Sequence, residues 1–271
     1  MESQSIGNRK KDRMMKQLWN SFKIAFSMYS KIPMPKSQWT KENMRYIMCF
    51  FPLIGAVIGG LTWLWGNWGM ELVQSKLLYV ILLVLIPVFV TGGIHLDGLL
   101  DTADALNSYQ PRERKLEILK DSNAGAFAII TALVYFLLYL GVYSEITPKS
   151  LPVICAGFVL SRAMGAFSIA AFPMAKNTGL AATFSDGAQK TWVKVTSLCY
   201  AAVVLLFMLW YEPVLGICVC VGAALEYGYY YSMSKKEFGG ITGDLAGFHM
   251  QVSELVIAVS CVVGEVLLRM L

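Results

Sequence analysis

The stretch 77–125 reads LLYVILLVLIPVFV (77–90), TGGIHLDGLLDTAD (91–104) and ALNSYQPRERKLEILKDSNAG (105–125). An almost wholly apolar run delivers the chain to two glycines, and three aspartates then arrive within eight residues. Asp97, Asp101 and Asp104 stand at i, i+4 and i+7, so a helix places their carboxylates on one stripe. Leu96, Leu99, Leu100 and Ala103 then face elsewhere. Like charges at this spacing repel and destabilise a bare helix. A cation among them removes the conflict, and hard oxygen donors suit magnesium or a similar divalent ion. The plain alternative is a solvated acidic face. The membrane-grade segment just before it, with His95 and the paired glycines, favours function, because ionisable clusters at a membrane boundary are functional by default.

Composition sets the class. Of 271 residues, 56% are hydrophobic and only 15% charged, and the mean hydropathy is +0.54. This excludes a soluble globular enzyme, and nothing in the chain points to nucleic acid. The expectation is an all-α, polytopic integral membrane protein. Residues 1–13 read as a disordered basic tail, and 14–271 as a single helical membrane domain. The six cysteines, Cys49, Cys155, Cys199, Cys218, Cys220 and Cys261, are scattered through apolar runs without CxxC spacing and read as small buried hydrophobes. No secretory signal is expected, since the basic start lacks an h-region with a cleavage site.

From Met14, the residues Leu18, Phe22, Ala25, Phe26 and Tyr29 recur with helical period, which suits an interfacial helix lying on the membrane. Lys31-Ile-Pro-Met-Pro35 ends it. Seven apolar stretches follow, near 47–66, 77–95, 124–143, 151–173, 192–211, 213–231 and 248–268, each close to the ~20 residues a span requires. Ten lysines and arginines precede the first span, and the loops after spans two, four and six carry four, two and two. The other side holds only Lys76, Lys149 and Arg269. This bias predicts a multi-pass protein of a prokaryotic cytoplasmic membrane with its N-terminus in the cytoplasm. The aspartate segment, GLAATFSDG (179–187) and GGITGDLAG (239–247) then share the cytoplasmic face, where an active site built from three loops is expected.

Three further places carry chemistry. Asp121 and Ser122 can cap the third span, and Lys120 beside them can equally pair a substrate phosphate. Gly240, Thr242, Gly243 and Asp244 lie in a glycine-rich loop at the start of span seven, where backbone amides favour anions and Asp244 can reach a metal that also holds phosphate. A membrane-boundary turn is the simpler reading of that loop. Inside the spans, Arg162, Glu226 and Glu254 need partners, because an unpaired charge at the bilayer centre costs about 3 kcal/mol. Arg162 reads equally as a phosphate contact or as a partner for a glutamate, and Glu226 reads as structural.

The run Gly92-Gly93-Ile-His95-Leu-Asp97-Gly98-Leu-Leu-Asp101-Thr102-Ala-Asp104 resembles the GG-x-HLDGL-x-DT-x-DG signature of cobalamin synthases, the adenosylcobinamide-GDP ribazoletransferases. The resemblance covers nearly the whole chain. Lys31-Ile-Pro-Met-Pro35 is similar to an R-x-P-x-P element, Phe51-Pro-Leu-Ile-Gly55 to FPLIG, and Leu116-Glu-Ile-Leu-Lys-Asp-Ser122 to LEIMKDS. Ser161-Arg162 matches an SR pair, Gly240-Ile-Thr-Gly-Asp244 matches GG-x-TGD, and Glu254 stands where the family has a late glutamate. Lys31 in place of arginine, Ala105 and Ala181 in place of glycines, and Asn123 in an altered basic element depart from the pattern.

The resemblance implies that adenosylcobinamide-GDP is joined to α-ribazole or its 5′-phosphate, with release of GMP and a requirement for magnesium. Such a displacement needs carboxylates for the metal, here Asp97, Asp101, Asp104 and Asp244. It needs a base at the attacking ribose hydroxyl, for which His95 and Asp97 are the candidates. Lys31, Lys120 and Arg162 can serve phosphate oxygens, and Asp121, Ser122, Gly240, Thr242, Gly243 and Glu254 complete the expected substrate contacts. Membrane lipid surrounds the chain, and a homo-oligomer or association with other cobamide-assembly enzymes stands as an open expectation. Two other readings differ in kind. A CDP-alcohol phosphotransferase or intramembrane prenyltransferase also uses aspartates and magnesium, but the D-G-x2-A-R pattern is missing here. A vitamin or cation transporter predicts internal repeats and ionisable groups at the midplane, whereas these acids gather at one face.

Overall fold

The computed structural model describes residues 2–175 and 189–270, so the 179–187 stretch lies outside the described residues. The helices are α1 (Glu2–Tyr29), α2 (Lys41–Met44), α3 (Ile47–Leu72), α4 (Lys76–Thr91), α5 (Ile94–Asn107), α6 (Arg112–Ile118), α7 (Ala126–Ser144), α8 (Ser150–Ala171), α9 (Lys190–Tyr211), α10 (Pro213–Met233) and α11 (Gly243–Met270). A π-helical turn, Ser234–Phe238, extends α10. Among the described residues, strand-type pairing is limited to an isolated parallel bridge between Met174 and Ile241.

Six of these helices (α3 and α7 to α11, with α10 taken through Phe238) are long and apolar enough to cross a membrane, and a bent α4–α5 pair makes a seventh. The bend is 95°. Its cause is local: Gly92 (φ +66°) and Gly93 (φ +80°) are both left-handed, a pair of conformations that side chains with a Cβ rarely adopt. At 1.5 Å per residue, the sixteen residues of α4 rise about 24 Å, short of a ~30 Å hydrocarbon core. The second expected span, 77–95, therefore breaks just before its end, and α5 turns aside with the acids.

Helix α4 runs back along α3. At one end Trp65 Nε1 donates to the Tyr79 carbonyl (3.0 Å) and the Tyr79 hydroxyl to the Gly66 carbonyl (2.8 Å); at the other, the Phe51 and His95 rings lie 5.7 Å apart. Two α3 glycines bring α8 into backbone contact: a Cβ at Gly55 would stand 2.2 Å from the Phe158 carbonyl oxygen, and one at Gly59 2.4 Å from that of Cys155. Between membrane helices, small residues of this kind permit the close packing that lipid exclusion alone does not drive. Outward residues such as Leu133, Leu137, Val203, Leu206 and Leu225 are exposed and apolar, as a lipid-facing surface requires.

Helix α1 differs from expectation at both ends. It begins at Glu2 and so takes in most of the residues read as a disordered tail. Its second half also packs into the bundle: Ser21, Ile24, Ala25 and Phe26 are buried, and Phe22 meets Phe50 edge-on at 5.7 Å. The Lys31 N–H donates to the Val90 carbonyl (2.7 Å), tying the end of this arm to the end of α4.

Candidate functional site: an acidic cavity where two loops meet

Helices α5 and α11 cross at two glycines. A Cβ on Gly98 would stand 2.5 Å from the Asp244 carbonyl oxygen, and one on Gly247 3.0 Å from that of His95. The backbones therefore touch, and residues separated by well over a hundred positions become neighbours. Asp97 lies close enough for its charge to act on both Asp101 and Asp244, and Asp244 on Asp101. This sets acids from both loops against one another, a repulsive cluster with no cation of the chain bonded to it among the described residues.

The second loop is held by its own backbone. Gly239 (φ +77°) ends the π-helical turn. The Ile241 N–H donates to the Pro173 carbonyl (2.8 Å) and the Ala175 N–H to the Ile241 carbonyl (2.9 Å), which pins this loop to the chain leaving α8. The Thr242 hydroxyl accepts from the Leu245 N–H (3.2 Å) and caps α11. The positive end of a long helix thus opens at Gly243 and Asp244.

A cavity of about 450 Å³ lies at this junction. His95, Asp97, Lys120, Thr242, Gly243 and Asp244 all line it. The rest of its wall is mainly apolar: Met28 and Tyr29 from α1, Met48 and Phe51 from α3, Ile169 from α8 and Met250 from α11. His95 is buried, its ring near Tyr29 and Phe51, and its Nδ1 has no hydrogen-bond partner.

The other expected site residues lie off this cavity. The Lys31 side chain packs over Gly92, where a Cβ would meet its Cε at 2.1 Å. Gly240 is buried against the Pro173 carbonyl. Arg162 and Glu254 are wholly buried and paired with each other, and neither lines the cavity. Arg162 also donates to the Ser161 hydroxyl (2.9 Å).

Asp104 sits on the acidic stripe yet turns to α7. Its two carboxylate oxygens accept the backbone N–H groups of Gly125 (2.6 Å) and Ala128 (2.8 Å). The cap expected from Asp121 and Ser122 therefore comes from Asp104 instead. A Cβ at Gly125 would lie 2.7 Å from Asp104 Oδ1, so a side chain there would push the capping carboxylate aside. Asp121 accepts from the backbone N–H (3.0 Å) and side-chain amide (2.9 Å) of Asn123, and these bonds hold its carboxyl below the usual range. Both Asp121 and Ser122 are exposed.

Some contacts had no sequence signal. Lys115 Nζ donates to Glu237 Oε2 at 2.5 Å, across 122 positions, and joins α6 to the π-helical turn. The Arg112 guanidinium packs against Gly239. Glu226, read as structural, bonds His249 Nδ1 at 2.9 Å, with the Tyr230 ring stacked on His249 at 4.6 Å. The methionines and aromatics of the cavity wall looked like ordinary core.

Among the described residues, no three His, Cys, Asp or Glu side chains gather tightly enough to cage a metal. Magnesium does not need such a cage: it keeps several waters and uses one or two carboxylates plus substrate phosphates. Asp97 and Asp244, exposed and half-buried on the cavity wall with Asp101 within reach of their charges, offer that kind of donor set.

Known proteins resemble the chain over most of its length. The chain is 46% identical to an adenosylcobinamide-GDP ribazoletransferase of Lachnoclostridium phytofermentans, over 91% of this chain and 94% of that protein. It is 33% identical to one of Clostridium botulinum (89% and 96%) and 31% identical to one of Geobacillus kaustophilus (90% and 95%). No solved structure matches. The family model for cobalamin-5-phosphate synthase matches residues 21–262, and the chain belongs to that family.

Proposed function

We propose that this protein joins adenosylcobinamide-GDP to α-ribazole, or to its 5′-phosphate, at the cavity between α5 and α11. A ribose hydroxyl oxygen forms the new bond to the cobinamide-side phosphorus, the bridging P–O bond breaks, and GMP leaves. The observation that carries this reading is the meeting of His95, Asp97, Lys120 and Asp244 around one cavity. Acids, a cation and a helix N-terminus in one place suit a diphosphate that must lose a nucleotide.

The residues divide the work. Lys120 pairs with a phosphate oxygen, and Lys31, over Gly92 at the same end of the bundle, adds a second cation. The start of α11 offers backbone N–H groups to the same phosphates. His95 and Asp97 are the groups on the wall able to take the proton of the attacking hydroxyl. Magnesium, when bound, neutralises the charge that grows on the leaving phosphate; Asp97, Asp101 and Asp244 are the residues that would hold it. Asp104 serves the site by fixing α7 against α5.

The site faces the cytoplasm with the N-terminus. Support comes from the charge bias and from the segments after α4, α8 and α10 gathering at one end of the bundle. The test is an assay of purified protein in liposomes with adenosylcobinamide-GDP, α-ribazole and magnesium. Formation of the cobamide together with GMP is expected; no product under these conditions overturns the reading.

A further inference from the structure

We propose that the apolar part of the cavity seats the aromatic base of the ribazole acceptor, and that Met48 and Ile169 set which bases are accepted. The inference rests on the functional reading above and adds to it which substrate fills the enclosed space. Two large substrates meet in this reaction, and the cavity holds about 450 Å³. That is toward the lower end of the ~300–1,000 Å³ typical of small-ligand pockets. It suits a nucleoside. An adenosylated corrinoid is several times larger and must lie outside it.

Two nucleoside bases then compete for the space, guanine and dimethylbenzimidazole. Guanine carries donors and acceptors along its whole edge, and each buried without a partner costs about 1–3 kcal/mol. Thioether, phenyl and aliphatic groups supply no such partners, and these are most of what α1, α3 and α8 contribute, through Met28, Met48, Phe51 and Ile169, with the Tyr29 phenol beside them. Dimethylbenzimidazole offers two methyl groups, two aromatic faces and one free ring nitrogen. Methionine and aromatic walls are suited to such a ring. Apart from Tyr29, the polar residues come from α5, the segment after α6 and the start of α11, so a base in the apolar part places its ribose toward His95 and Asp97.

Met48 and Ile169 come from different helices, and each is almost wholly buried, at 4% and 5% exposure. Neither is bound to a charged group, so substitutions there change shape and leave the acidic cluster alone. The measurement uses the full-length protein in liposomes, with KM determined for each substrate at saturation of the other. Met48→Trp is expected to raise the KM for α-ribazole tenfold or more and to leave that for adenosylcobinamide-GDP within twofold. Ile169→Ala is expected to shift the kcat/KM ratio at least fivefold toward the riboside of a larger base, naphthimidazole. A rise confined to the adenosylcobinamide-GDP KM overturns the proposal, as does unchanged base discrimination in Ile169→Ala. Should Met48→Trp fail to insert, the Ile169→Ala ratio decides alone. Wild-type protein that makes no cobamide contradicts the functional reading; wild-type turnover with an unmoved ratio contradicts only the base subsite.

Discussion

Gly98 and Asp244 touch through their backbones, with room for no side chain between them: a Cβ on Gly98 would lie 2.5 Å from the Asp244 carbonyl oxygen. This contact sets the distance between the aspartate helix and the glycine-rich loop. Gly98→Val is expected to force α5 and α11 apart and to lower kcat/KM by about 100-fold, since displacements near 1 Å cost that much in a positioned site. The protein should still insert. Steady-state kinetics on liposome-reconstituted protein check this, and full activity would mean that the crossing does not position the acids.

The Asp104 cap separates two roles that the sequence merged. Asp104→Ala removes the acceptor for two α7 amides, and loss of a cap costs about 1 kcal/mol. A lowered thermal midpoint in detergent is expected. Asp97→Asn, in contrast, should keep the midpoint and slow turnover at ordinary magnesium. A Gly125→Ala variant should reproduce the Asp104→Ala loss of stability, because its Cβ displaces the same carboxylate.

Asp97 and Asp104 show how far the sequence alone makes the site legible. The spacing of Asp97, Asp101 and Asp104 gave a helix with one acidic face, and hydropathy gave the membrane class, because both depend on local periodicity. The spacing did not reveal that Asp104 would turn to α7, because its partners are backbone amides more than twenty positions away. The Gly92–Gly93 pair was visible, but a 95° break depends on both residues being left-handed at once. Lys115 and Glu237 carried no signal, since a contact across 122 positions leaves no trace in composition or period.

Arg162 and Glu254 form a buried ion pair off the cavity. Removing one partner of such a pair costs about 3–5 kcal/mol, while replacing both with apolar groups is often neutral. Arg162→Met should therefore destabilise strongly, and the Arg162→Met, Glu254→Met double variant should recover most of the loss. Thermal unfolding of the three variants measures this. A double variant with normal stability and no turnover would point to substrate contact by one of the two.

Sidedness is open to chemical labelling. Cysteines introduced at Gln110 and Lys236, both exposed, should react only with reagent on the cytoplasmic side, and one at Lys149 only from outside. Gln110 and Lys236 labelled from opposite sides would be incompatible with a shared site.

The central claim is that Asp97 from α5 and Asp244 from α11 serve one metal-assisted site. The most direct measurement is the magnesium dependence of turnover in Asp97→Asn, Asp244→Asn and the double variant, each reconstituted in liposomes. Each single substitution is expected to raise the magnesium concentration for half-maximal rate at least tenfold. The double variant should fall well short of the product of the two effects, because residues sharing one ion are not independent. A wild-type magnesium dependence in either single variant, or fully multiplicative losses in the double, would contradict it.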